Sequence, residues 1–148
     1  MIGLARVESY PVTIDYGRPF TEMIAASGYD HVNEYLTPAR FPVHGRGVVA
    51  AKLLLLCLDR NASTDEVLHE HDSAERRPRR IAELLAFGAA EPERQRAFPI
   101  VALGEVEAYP DDYRRIPFLW GSPRVRHLDL RWDEHSWGAN ICFLAVGA

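Results

Sequence analysis

Phe98-Pro99-Ile100-Val101-Ala102-Leu103-Gly104, Val125-Arg126-His127-Leu128-Asp129-Leu130-Arg131-Trp132 and Asn140-Ile141-Cys142-Phe143-Leu144-Ala145-Val146 are the stretches that decide the fold. Each is about as long as a strand, and turn-forming residues crowd the sequence between them. In the second stretch, alternation puts Arg126, Leu128, Leu130 and Trp132 on one face and Val125, His127, Asp129 and Arg131 on the other. The reading is a run of strands over residues 100–108, 115–120, 125–132 and 140–146. This tract holds all three tryptophans, yet nothing in it has the form of a catalytic motif.

Upstream the pattern mixes strands with short helices. Residues 10–16 alternate Val12, Ile14 and Tyr16 against Thr13 and Asp15, a strand that Gly17 ends. Residues 48–58 are an apolar run interrupted by Lys52, which periodicity alone allows as strand or helix. Gly45 and Gly47 before it favour the strand. Pro19 opens a short helix over residues 19–26 with a Phe20, Met23 and Ile24 stripe, and Gly28 closes it. Residues 29–36 read as a further helical turn. Ser63-Thr64-Asp65-Glu66 matches a capping box and opens a helix to about residue 74. Pro78 restarts a helix carrying Ile81, Leu84 and Leu85, with Gly88 as its stop. Pro92 begins a short turn through Arg96. This order predicts an α+β fold: a single domain over residues 1–148 with a mostly antiparallel sheet, its C-terminal strand run packed against several short helices.

The totals narrow the class. The 148 residues are 47% hydrophobic and 26% charged, as in an ordinary globular chain. A net charge of −4 argues against a dedicated nucleic-acid binder. Lys52 is the only lysine, so the cations are arginines, a bias that a GC-rich genome produces by itself. Cys57 and Cys142 lie in apolar runs and are expected as free, buried hydrophobes. The N-terminus lacks the pattern of a signal peptide, and no apolar run is long enough to span a bilayer, so the expected compartment is the cytoplasm.

Three clusters could carry chemistry. Asp65, His69 and Asp72 fall on one helical stripe, which could offer oxygen and imidazole ligands to a metal. The plainer reading is a solvated helix face. Arg76, Arg77, Arg79 and Arg80, joined by Arg94 and Arg96, form a candidate anion site at a helix start. Interspersed glutamates make a surface salt-bridge network the plainer reading there. His127 and Asp129 share a strand face close to His135, an arrangement open to general acid–base work. No serine or cysteine nucleophile is tied to it, and such faces more often carry cross-strand charge pairs. Glycine-rich nucleotide loops, zinc-binding His-Glu-x-x-His, Cys-x-x-Cys and nucleophile elbows are all missing.

Several segments together resemble a family of small uncharacterised bacterial proteins. They are Tyr29-Asp30-His31-Val32-Asn33, Phe41-Pro42, Arg77-Pro78 leading into Glu83-Leu84-Leu85-Ala86-Phe87-Gly88, the Phe98 to Gly104 stretch, and Leu128-x-Leu130-x-Trp132 followed by Trp137 and Phe143-Leu144-Ala145-Val146. The resemblance covers most of the chain from Tyr16 onward. It implies a standalone protein of unknown function and carries over no catalytic residue.

The expectation is a small, soluble, non-catalytic binding protein with a protein partner, no cofactor and no membrane association. Either the arginine-bearing helix start or an aromatic set of Tyr109, Tyr113, Phe118, Trp120 and Trp137 would contact the partner, because aromatics and arginine dominate binding hot spots. The plainer reading is that most of these aromatics fill the core. The alternatives are a small enzyme using the histidines, with or without a metal, and a nucleic-acid-associated protein using the residues from Arg76 to Arg80.

Overall fold

The apolar run of residues 48–58 forms the second strand of a mixed sheet. The computed structural model describes residues 2–108, 116–131 and 136–147. In chain order the elements are β1 (Leu4–Asp15), α1 (Phe20–Ala25), β2 (His31–Val32), β3 (Val48–Leu58), α2 (Thr64–Ser73), β4 (Arg76–Pro78) and α3 (Ile81–Ala90). A 3-10 turn (Arg94–Arg96) follows, then β5 (Ile100–Val101), α4 (Gly104–Ala108), β6 (Ile116–Gly121), β7 (Arg126–Arg131) and β8 (Cys142–Gly147). The strands run β1-β3-β8-β5-β6-β7-β2, and β4 pairs with β8.

Helices cover parts of both faces. On one face Val12 and Ile14 of β1, Leu53 and Leu55 of β3, and Leu119 and Leu128 farther along meet Ile81, Leu84, Leu85 and Phe87 of α3. On the other, Leu58, Val101, Ile116 and Phe143 meet Val67 of α2, Val106 of α4 and Trp137. β3 is therefore buried on two sides toward its C-terminal end, which explains why alternation is lost there. Trp137 anchors the second core: it is 1% exposed, its Nε1 donates to Thr64 Oγ1 at 2.9 Å, and its ring meets Phe143 edge-on.

The α+β expectation holds in its coarse form, and the sheet is mostly antiparallel. It is mixed, however, because β2 runs parallel to β7 and β5 parallel to β8. The capping box forms as expected, with Ser63 accepting from the Glu66 N–H and Glu66 accepting from the Ser63 N–H. Four local expectations are corrected. The helical turn expected over residues 29–36 contains β2 instead. The strand expected over 100–108 stops at Val101 and gives way to α4, where buried Glu105 accepts from Nε and Nη2 of Arg80 at 3.1 and 3.0 Å. A Cβ at Gly104 would collide with Arg79 and Arg80, so glycine permits that close approach. Pro78 ends β4 rather than starting α3, and Gly88 lies inside α3, pressed against the Tyr29 hydroxyl.

The cysteines are also corrected. Cys57 of β3 and Cys142 of β8 are register partners and are joined by a disulfide, with both residues 0% exposed. Spacing could not reveal it, since 85 positions separate the two. Nη2 of Arg94 lies 3.8 Å from each sulfur. The same side chain holds Glu8 at 3.0 and 3.2 Å. Burial opposes ionisation of Glu8, but bonds from Arg94, Tyr10 and Arg6 outweigh it and hold the carboxyl down at about 2. Closing so long a loop predicts that Cys57→Ala/Cys142→Ala loses roughly 2–5 kcal/mol in urea unfolding. The companion check is alkylation of the unfolded, unreduced protein: no thiol should react, and uptake of two labels would show that the bond is absent in solution.

Candidate functional site

Strand spacing builds the site. Neighbouring strands lie roughly 4.8 Å apart, close to the stacking distance of aromatic rings. In the β6–β7 register Trp120 stands opposite His127, and His31 of β2 pairs with His127 from the other side. Three rings therefore rise side by side from one sheet face. The Trp120 and His127 centroids are 3.9 Å apart at 5° between planes, and those of His127 and His31 are 4.7 Å apart at 20°. His31 is exposed, while His127 and Trp120 are half-buried.

Asp129 locks this stack. Its Oδ1 accepts from Asn33 Nδ2 at 2.9 Å and from the Leu130 N–H at 2.8 Å, and its Oδ2 accepts from Trp120 Nε1 at 3.3 Å. The carboxylate thus braces the indole and the β2 segment, and no hydrogen bond joins it to His127 among the described residues. Next to it, Arg131 lies over the Trp137 ring at 4.6 Å.

Beneath the stack sits a polar hub. Buried Gln95 donates through Nε2 to the carbonyls of Trp120 and His127 at 2.9 and 3.0 Å. Its Oε1 accepts from the Arg126 guanidinium at 3.2 Å. That guanidinium also bonds the Ser27 carbonyl at 2.6 Å, the Ser27 hydroxyl, and the Gly88 carbonyl in the last turn of α3. Arg126 is 4% exposed and packs over Tyr29, whose phenol burial holds up at about 12.

The other candidates do not converge. Asp65, His69 and Asp72 are exposed on α2, and His69 Nε2 has Ser73 Oγ at 3.4 Å. Among the described residues no three His, Cys, Asp or Glu side chains gather to hold a metal ion. In the arginine run, Arg76 faces Glu70 and Arg79 faces Glu83, both at 3.9 Å, while Arg80 grips Glu105. Arg77 is exposed. Arg94 is taken by Glu8, and Arg96 by Glu93 at 2.8 Å. His135, Tyr109 and Tyr113 lie outside the described residues. Of the expected contact set, Trp137 is core and Phe118 is half-buried against the second core cluster. Sequence reasoning missed His31 and Asn33. Their spacing of two was the available signal, masked by reading the segment as helical.

The chain matches no protein-family model, no curated protein and no solved structure.

His71 is the histidine with a built-in pH consequence. It is 1% exposed, and neither ring nitrogen has a hydrogen-bond partner among the described residues. Burial, helped by the nearby Arg76 charge, holds it down at about 4 from an ordinary 6.5. Below 6.5 the unfolded chain takes up a proton that the folded one refuses. Stability present above that pH is therefore lost as pH falls toward 4, by up to about 3 kcal/mol. Urea unfolding between about pH 7 and about pH 4 should show this slope, and His71→Leu should flatten it. An unchanged slope would remove His71 as the cause.

Proposed function

We propose that this chain is a non-catalytic binding protein that docks a protein partner on the β6–β7–β2 surface through the His31–His127–Trp120 stack. The observation that carries this reading is the commitment of both Asp129 oxygens to Trp120, Asn33 and Leu130. A general base of the His–Asp kind needs a carboxylate to orient its imidazole, and His127 has none among the described residues. What the carboxylate does instead is fix the Trp120 ring and the Asn33 side chain, and rigid aromatic groups lose little entropy on binding.

The flanking residues suit a protein surface. Val32 and Tyr35, in the same segment as His31, are 41% and 53% exposed, and the Arg40 guanidinium lies over the Tyr35 ring at 4.7 Å. Tyrosine, tryptophan and arginine are the residues that dominate interface energetics. β2 is a two-residue edge strand, so among the described residues a partner reaching the stack from that side meets no further strand. Among the described residues no helix is long and apolar enough to cross a membrane. The compartment we propose is the cytoplasm; the Cys57–Cys142 bond would be an exception among the reduced thiols there, and both its residues are 0% exposed.

A photo-crosslinking amino acid placed at residue 31, in the cells that express the protein, tests the reading. One adduct of defined mass should form, disappear with Trp120→Ala, and be absent when the probe sits at Val7 on the opposite edge of the sheet. No adduct from residue 31, or equal adducts from both edges, would overturn it.

A further inference from the structure

A second site lies on the other edge of the sheet, away from the ring stack. α1 and α3 lean over the end of β1 and leave a cleft of about 350 Å³, within the ~300–1,000 Å³ range of small-molecule pockets. Its floor is apolar, with Ile14, Met23 and Leu85 all buried and the small side chains of Ala86 and Ala89 leaving the space open. Larger side chains at Ala86 and Ala89 would close it.

The mouth of the cleft carries two opposite charges that pair with no other charge among the described residues. Arg18 and Asp15 both line it, and no ion pair within 4.0 Å joins them or ties either to another charge among the described residues. The Gly17 N–H donates to Asp15 Oδ1 at 3.0 Å, which fixes the carboxylate and leaves Oδ2 open. Main-chain groups add to the lining. β1 is an edge strand, and the Tyr16 N–H donates inward to the Gly47 carbonyl. Antiparallel alternation then turns the Thr13 N–H and C=O outward, on the side away from β3. Thr13 itself lines the cleft.

An apolar slot with a guanidinium, a carboxylate and a strand edge at its mouth has the polarity of one ligand class. We propose that this cleft binds a free α-amino acid with a compact apolar side chain. The ligand carboxylate pairs with Arg18, whose planar fork suits bidentate contact. Its ammonium faces Asp15 Oδ2 and the Thr13 carbonyl, and its side chain fills the space over Ala86 and Ala89. This site is independent of the partner surface and stands or falls without it.

An NMR titration of the isotope-labelled protein with L-leucine tests the proposal. Saturable shifts should appear at residues 13–18 and 82–90, at ligand concentrations up to about 10 mM. Arg18→Gln, an exposed change that leaves the core intact, should weaken binding roughly tenfold or more. The same loss is expected for 4-methylpentanoate, which lacks the ammonium, and for 3-methylbutylamine, which lacks the carboxylate. Ala89→Leu, checked for an unchanged melting temperature, should fill the slot and abolish the shifts. Absence of saturable shifts, binding unaffected by Arg18→Gln, or equal binding of either truncated analogue would overturn it.

Discussion

Arg126 is the constraint on which the site end of the molecule depends. Burying a guanidinium is costly unless its donors are satisfied. Here the two Nη groups find uncharged partners, Ser27, the Gly88 carbonyl and Gln95, while Nε has none among the described residues. One of these acceptors belongs to the last turn of α3, where helix carbonyls lack internal partners and the helix dipole favours a cation. α3 has no basic residue of its own there, so β7 supplies one from 38 positions away. The same residue's main chain bonds the β2 segment in both directions, accepting from the Asp30 N–H and donating to the Asp30 carboxylate. A single side chain and its backbone thus tie helix, loop and strand edge together beneath the ring stack.

The other end of the sheet is held by different means to a similar end. The disulfide fixes β3 to β8, and Arg94 caps it while neutralising Glu8. Between the two ends, Arg80 binds the buried carboxylate of Glu105 and so fixes α4 to the entrance of α3. Glu83, also buried, accepts from the Tyr16 hydroxyl at 2.7 Å and helps hold α3 to the end of β1. Burial and that bond to a carboxylate push the Tyr16 phenol up to about 12. Arginine, rather than lysine, fills these roles because its fork meets two acceptors at once. Whatever produced the arginine bias of the sequence, the fold uses it internally.

What was legible in the sequence was local. Ser63 and Glu66 announce their helix because both capping partners lie within one turn. The alternation of β7 separates Leu128 from His127 and Asp129 because each strand face meets one environment. The apolar run of β3, broken only by Lys52, reads correctly as strand once its flanking glycines are weighed. The illegible features all have distant partners. β2 is two residues long and is stabilised by β7, 96 positions away, so no pattern of its own marks it. α4 displaces a plausible strand because Glu105 finds Arg80. The site shares this character: His127 and Asp129 were visible, but Trp120, His31 and Asn33 join them only through strand pairing.

The central claim is that the Arg126 hub holds the ring-stack surface in place, and Arg126→Met tests it by keeping the bulk while removing the donors. Hydrogen exchange of the Trp120 indole N–H, alongside urea unfolding, is the measurement. The account predicts a folded protein that loses about 3 kcal/mol, because the Ser27 and Gly88 carbonyls and Gln95 Oε1 lose their donor. Its Trp120 indole and His127 amide exchange markedly faster than in the parent chain. Unchanged stability together with unchanged exchange at both positions would contradict it.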